Sequence, residues 1–225
     1  MEFIEYMQCF QIKRRAIGGL ALSWVMTNAT AIPFKTRNHT ILVLGDSLSA
    51  EFGLQRGKGW VALMERQIAE EKIHASVVNA SISGETTYGG RSRLPALLSK
   101  HQPYIVVIEL GANDALRGLP QPMTEENLLT MTQAAHKMGA KVVLLGMQVP
   151  PNYGALYMKE FSETYPQVAK VTKASLVPFF LEEVANPANP ADASKFFQSD
   201  SFHPNELAQP ILLKNVWSVI KKLLP

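Results

Sequence analysis

The 225-residue chain holds a single cysteine, Cys9. One thiol cannot close a disulfide within the chain, and it cannot build a multi-thiolate zinc site. The five histidines, His39, His74, His101, His136 and His203, show neither HxH nor HExxH spacing. No metal and no cofactor are therefore expected. Charge is modest: 22 basic against 19 acidic residues give a net +3. That excess is too small, and too scattered, to argue for nucleic acid as a partner. No apolar run reaches the roughly 20 residues that a membrane-spanning helix needs, so no stable membrane insertion of the folded domain is expected. Repeats and low-complexity blocks are missing too. What remains is a hydrophobic fraction of 47%, enough for an ordinary core at this length without covalent staples.

The first 31 residues read as an address and the rest, 32–225, as one domain. Lys13-Arg14-Arg15 is a positive segment, and Ala16 to Met26 is an apolar run too short to span a membrane. Ala29-Thr30-Ala31 follows as a small-x-small cleavage site. This order is that of a signal peptide, with cleavage expected after Ala31 and a periplasmic or secreted product. The stretch before Lys13 is long for such a signal, which leaves Met7 as an alternative start.

Beyond it, short apolar runs alternate with helical spacing. Strands are expected at residues 40–44, 75–79, 104–110, 141–145 and 175–177. Helices are expected at 60–72, 91–101, 124–138 (capped by Thr124, with Gly139 at its end) and 205–224. Runs such as Tyr104 to Leu110, apolar on both faces, suit a parallel sheet. The alternation predicts an α/β fold: a three-layer α/β/α sandwich around a central, mainly parallel sheet of about five strands, flavodoxin-like in plan. Ligands of such sheets bind beyond the carboxyl ends of the strands.

The chemistry-bearing residues fall at those ends. Gly45-Asp46-Ser47-Leu48-Ser49 follows the first strand directly. A serine on that tight turn can present its hydroxyl at the sheet edge, with its own N–H facing a developing oxyanion. An ordinary strand-ending turn accounts for the pentapeptide equally well when it stands alone. It is not the G-x-S-x-G elbow, since Ser49 holds the fifth position. Near the other end, Asp200-Ser201-Phe202-His203-Pro204 sets a carboxylate three residues before an imidazole. That is the spacing by which an orienting group and a base share one turn. Gly84 in Ser83-Gly84-Glu85-Thr86-Thr87 and Asn113 in Gly111-Ala112-Asn113-Asp114 are candidate oxyanion donors, each also readable as a turn residue. Asp46 reads as the residue that rigidifies the turn. Glu109 and Asp114 read as structural.

Taken in order, GDSLS, SGETT, GAND and DSFHP resemble the four blocks of the SGNH (GDSL) hydrolases. Tyr88 to Pro95, Glu109 to Asp114, Met147 to Gly154 and His203-Pro204-Asn205 further resemble the bacterial arylesterase, acyl-CoA thioesterase I and lysophospholipase L1 group. The likeness covers about residues 40–223. One departure is Ser201-Phe202, where relatives often carry Gly-Ile; the spacing of Asp200 and His203 is kept. The resemblance implies Ser47, Asp200 and His203 as the catalytic triad. It implies an oxyanion hole of Ser47, Gly84 and Asn113. It also implies small-molecule acyl ester or thioester substrates, including aryl esters and lysophospholipids. Leu116, Leu119 and Pro120, with Met147 to Tyr153 and Pro150 among them, are candidates to line an acyl groove, and ordinary loop packing explains them as well. A monomer is expected. Two other readings stay open: an SGNH esterase for acetylated sugars, and a non-catalytic ligand-binding protein on a flavodoxin-like sheet.

Overall fold

A computed structural model describes residues 39–186 and 194–225. Cys9 and the whole expected signal peptide, 1–31, lie outside the described residues. The chain runs β1 (His39–Gly45), α1 (Trp60–Glu70), β2 (Ala75–Asn79), α2 (Thr87–His101), β3 (Ile105–Glu109) and α3 (Ala112–Leu116). It continues as α4 (Gln121–Lys137), β4 (Lys141–Leu145), a short 3-10 turn (Pro151–Tyr153), α5 (Ala155–Thr172), β5 (Ser175–Val177) and α6 (Gln209–Leu223).

The five strands form one sheet in the order β2-β1-β3-β4-β5, and every pairing is parallel. The expected α/β sandwich is the architecture observed. Ile41 to Leu44 of β1 and Ile105 to Ile108 of β3 are fully buried, as strands covered on both faces must be. α1 packs on α6, while α2 packs on α4 and α4 on α5. Right-handed crossovers put these two groups on opposite faces. Each large apolar side chain sealed there, such as Trp60, Phe161 and Phe180, contributes about 1.5–3 kcal/mol relative to exposure.

The chain first moves outward from β1 to β2 and then returns to place β3 on the other side of β1. Strand order therefore reverses between β1 and β3, and the crevice at their carboxyl ends is where such sheets bind ligands. Register brings Gly45 of β1 beside Glu109 of β3.

Several elements differ from the sequence expectation. α2 starts at Thr87, not residue 91, and passes through Pro95. α4 starts at Gln121 behind Pro120; Thr124 is buried inside it and its hydroxyl donates to Asp114 at 3.3 Å. α3 was not anticipated, and neither was α5. The latter carries Pro166 in its interior, and its Phe161, Tyr165, Val168 and Ala169 are buried. In α6, Pro210 sits in the first turn, where its missing N–H costs nothing.

Candidate active site

β1 ends at Gly45, and the next six residues wind into a tight turn. The Asp46 carbonyl accepts from Ser49 N at 3.2 Å and Ala50 N at 2.9 Å. Asp46 Oδ1 accepts from Leu48 N at 3.0 Å, so the side chain rigidifies the turn, as expected. This arrangement needs glycine at position 45. A Cβ there would lie 2.7 Å from Glu109 Oε2 and 2.8 Å from Ser49 Oγ.

Beneath the turn lies a buried polar cluster. Glu109 Oε2 accepts from Asp46 N at 3.2 Å and from Ser49 Oγ at 2.7 Å. Ser49 Oγ accepts in turn from Trp60 Nε1 at 3.2 Å. Glu109 is wholly buried, and its Oε1 has no hydrogen-bond partner among the described residues. Burial pushes the Glu109 carboxyl well above its ordinary range, and the neighbouring Asp46 charge pushes it further. Burial also raises Asp46, to about 6, against the lowering effect of its bonds from Leu48 and Asn113.

Asn113 stands on α3, directly after β3. Its Nδ2 donates one hydrogen to Asp46 Oδ2 at 2.9 Å, which leaves the second N–H of that amide unspent. α3 is aimed by Gly111, whose φ of 125° no ordinary side chain adopts; a Cβ there would meet the Tyr165 hydroxyl at 2.3 Å. Tyr165 in turn donates to Leu110 O at 3.0 Å. Gly84 lies in the loop after β2. Among the described residues nothing accepts a hydrogen bond from its N–H or from that of Ser47.

The last loop supplies the remaining groups. Asp200 Oδ1 accepts from Phe202 N at 2.9 Å and His203 N at 3.0 Å, while Oδ2 meets His203 Nδ1 at 2.7 Å. Ser201 between them takes a left-handed φ of 60° to close this turn. Those two backbone N–H groups, and then the imidazole, hold the Asp200 carboxyl down at about 2. With Nδ1 committed as donor, Nε2 is left to accept, and it lies 2.9 Å from Ser47 Oγ. Phe52, 47% exposed, packs against the imidazole with ring centroids 4.3 Å apart and the planes tilted by 39°. Gln198 Nε2 donates to the Phe52 carbonyl at 2.8 Å.

The structure thus brings Ser47, Asp200, His203 and Asn113 into one hydrogen-bonded constellation around the β1/β3 crevice, with Asp46 as the link between turn and amide. Comparison with known proteins places the chain in a family. Residues 43–209 match the model of the GDSL-like lipase/acylhydrolase family. The chain belongs to that family. As a GDSL/SGNH member it is a serine hydrolase. It is 51% identical over 185 residues to esterase TesA of Pseudomonas aeruginosa, covering 82% of this chain and 89% of that one. It is 43% identical over 173 residues to thioesterase 1/protease 1/lysophospholipase L1 of Escherichia coli, covering 77% and 79%. Among solved structures it resembles the psychrotrophic esterase EstA from Pseudoalteromonas sp., inhibited by monoethylphosphonate. That likeness has a TM-score of 0.76 and 41% identity, over 82% of this chain and 97% of that one.

Of the candidate groove residues in this GDSL hydrolase, Leu116 ends α3 and is 53% exposed. Leu119 is half-buried and Pro150 exposed. A cavity of about 660 Å³ lies elsewhere, between α1 and α6, lined by Leu63, Arg66, Leu213 and Trp217 among others. No candidate site residue borders it. Sequence reasoning passed over Phe52, Gln198 and Arg117. The only signal for Arg117 was its place four residues after Asn113, on one face of a helix.

Proposed function

We propose that Ser47 is the nucleophile, His203 the general base and Asp200 the group that orients it. The Ser47 and Gly84 N–H groups and the Asn113 amide receive the oxyanion. His203 takes the Ser47 proton as Oγ attacks the carbonyl carbon of an ester or thioester. The tetrahedral oxyanion collapses, His203 hands its proton to the departing alcohol or thiol, and an acyl-serine remains. Water, deprotonated by His203, releases the acid and restores Ser47. The single observation carrying this reading is the 2.9 Å approach of Ser47 Oγ to His203 Nε2, with Asp200 2.7 Å behind.

The substrates are small carboxylic esters: aryl esters, acyl thioesters and lysophospholipids, with Leu116, Leu119 and Pro150 on the acyl side. The named activities of the esterase and thioesterase/lysophospholipase relatives support that range. Residues 1–31 act as an export signal cut after Ala31, so the enzyme works in the periplasm or outside the cell, and it does so as a monomer. In that location acyl-CoA is not its physiological substrate. No helix among the described residues is long and apolar enough to cross a membrane.

A fluorophosphonate probe should label Ser47 in the native enzyme and fail to label Ser47→Ala. That variant should lose at least about ten-thousandfold in kcat while melting as the native enzyme does. Normal turnover by pure Ser47→Ala overturns the assignment. A nitrophenyl ester series sets the acyl range: a sharp preference for acetyl would point to acetylated sugars instead.

A further inference from the structure

Two of the proposed oxyanion donors come from separate loops, and something must keep them in register. The loop bearing Gly84 is pinned at its flanks. Ile82 N donates to Gly45 O at 3.0 Å. Arg93 holds Ala80 O at 3.0 Å and the Glu85 carboxylate at 2.7 Å. At Gly84 itself (φ 77°) the one hydrogen bond formed among the described residues is accepted by its carbonyl, from Arg117 Nη2 at 2.7 Å. Arg117 closes α3, and its N–H bonds to Asn113 O at 3.1 Å. Asn113 and Arg117 are four residues apart, so both side chains leave the same face of that turn. Asp114, beside Asn113, is buried and accepts from Thr87 N at 2.8 Å and from the Thr87 hydroxyl. Thr87 begins α2, three residues past Gly84. The short helix that presents the Asn113 amide therefore grips the Gly84 segment twice, from the buried side through Asp114 and from the solvent side through Arg117.

We propose that Arg117 is a positioning residue that holds the Gly84 carbonyl, and with it the Gly84 N–H, at a fixed separation from the Asn113 amide. This rests on the assignment of Gly84 and Asn113 as oxyanion donors. Both must aim at one point, the place where the carbonyl oxygen becomes charged, and small displacements there are costly. A glycine peptide is free to swing, and a planar guanidinium fixes direction as well as distance. The hydrogen bond is exposed, so it adds little to folding. Its value lies in the transition state and is read in kcat, not in KM.

The test compares native enzyme, Arg117→Ala and Arg117→Lys on a nitrophenyl ester, with fluorophosphonate labelling of Ser47 followed in parallel. Arg117→Ala should lower kcat about tenfold and leave KM within about twofold. Its labelling rate should fall in step, because the phosphonyl oxygen occupies the same hole. Melting should not change. Arg117→Lys, which keeps a donor for the carbonyl, should recover at least about threefold of that loss. The inference is overturned if Arg117→Ala keeps kcat within twofold, if the loss falls on KM, or if lysine is no better than alanine. If native enzyme neither turns over nor labels at Ser47, the hydrolase reading itself has failed, and that result is distinct from the other three.

Discussion

Asp46 and Asp200 are the same side chain, one residue before the nucleophile and three before the base, and their acidities move in opposite directions. Asp46 is buried and raised to about 6; Asp200 keeps 39% of its side chain exposed and is lowered to about 2. Hydrogen bonding is not what separates them, since both accept hydrogen bonds; exposure to water is. Asp200 takes two backbone N–H bonds and an imidazole while staying solvated, so its charge is stabilised without a burial cost. Asp46 takes the Leu48 N–H and the Asn113 amide and feels the His203 charge, yet it is buried beside a second carboxyl group, Glu109, and burial outweighs all three. One carboxylate is built to stay charged opposite an imidazolium. The other is built to hold a turn and an amide in place, and its charge is incidental to that.

The largest break should come at the charged one. Asp200→Asn keeps the side-chain shape but no longer stabilises the imidazolium or fixes its tautomer. A loss of roughly a thousandfold to ten-thousandfold in kcat is expected, with little change in melting because the group is exposed. The native acid limb of kcat/KM should not follow Asp200, which stays ionised down to about pH 2. A limb that moves with this carboxyl would show that the two aspartates are not as different as described.

A smaller loss should follow at the buried one. In Asp46→Asn, the amide oxygen can serve either Leu48 N–H or the Asn113 amide, and the NH2 then faces the other donor. Asn113 loses its orientation, and kcat should fall about tenfold to a hundredfold, up to the cost of deleting one oxyanion donor. If Asp46 works through Asn113, the double variant Asp46→Asn/Asn113→Ala should be no slower than Asn113→Ala alone. Fully additive losses would show that Asp46 acts by another route.

How much of this was visible in the linear chain follows from the same contrast. The sheet was legible because β1, β3 and β4 are nearly unbroken apolar runs. The triad was legible because its parts lie in two short contiguous blocks at strand ends. α5 was not, because Pro166 reads as a breaker; the burial of Phe161 and Tyr165 before it and of Val168 and Ala169 after it outweighs the lost backbone bond. Thr124 followed by two glutamates looks like a helix cap, but Pro120 sets the start of α4 and the threonine hydroxyl is spent on Asp114. The ring contact of Phe52 with His203, the Gln198 anchor and the Arg117 grip on Gly84 join residues far apart in sequence. No local pattern encodes such contacts. The pairing of Glu109 with Asp46 likewise depends on the parallel register that sets Gly45 beside Glu109.

That pairing gives the subtlest test, in stability. A carboxyl whose pKa is raised by folding binds its proton more tightly in the folded state than in the unfolded one. As pH rises above the ordinary values of 3.8 for Asp and 4.5 for Glu, the unfolded chain sheds these protons first. Stability from Asp46 is therefore complete below about pH 4 and is lost as pH rises through about 6; Glu109, raised further, extends the loss upward. Glu109→Gln removes one titrating member and the like charge, while its amide oxygen still accepts from Asp46 N and Ser49 Oγ. Its NH2 takes the place of the unpartnered Oε1, so some stability is lost at every pH, and the informative quantity is the slope. Between about pH 4 and 8 the native melting temperature should fall more steeply than that of Glu109→Gln, by a few degrees over the range. Parallel curves would mean that Glu109 already carries the same charge folded and unfolded. The pH dependence that remains in both proteins would then belong to Asp46 and not to Glu109.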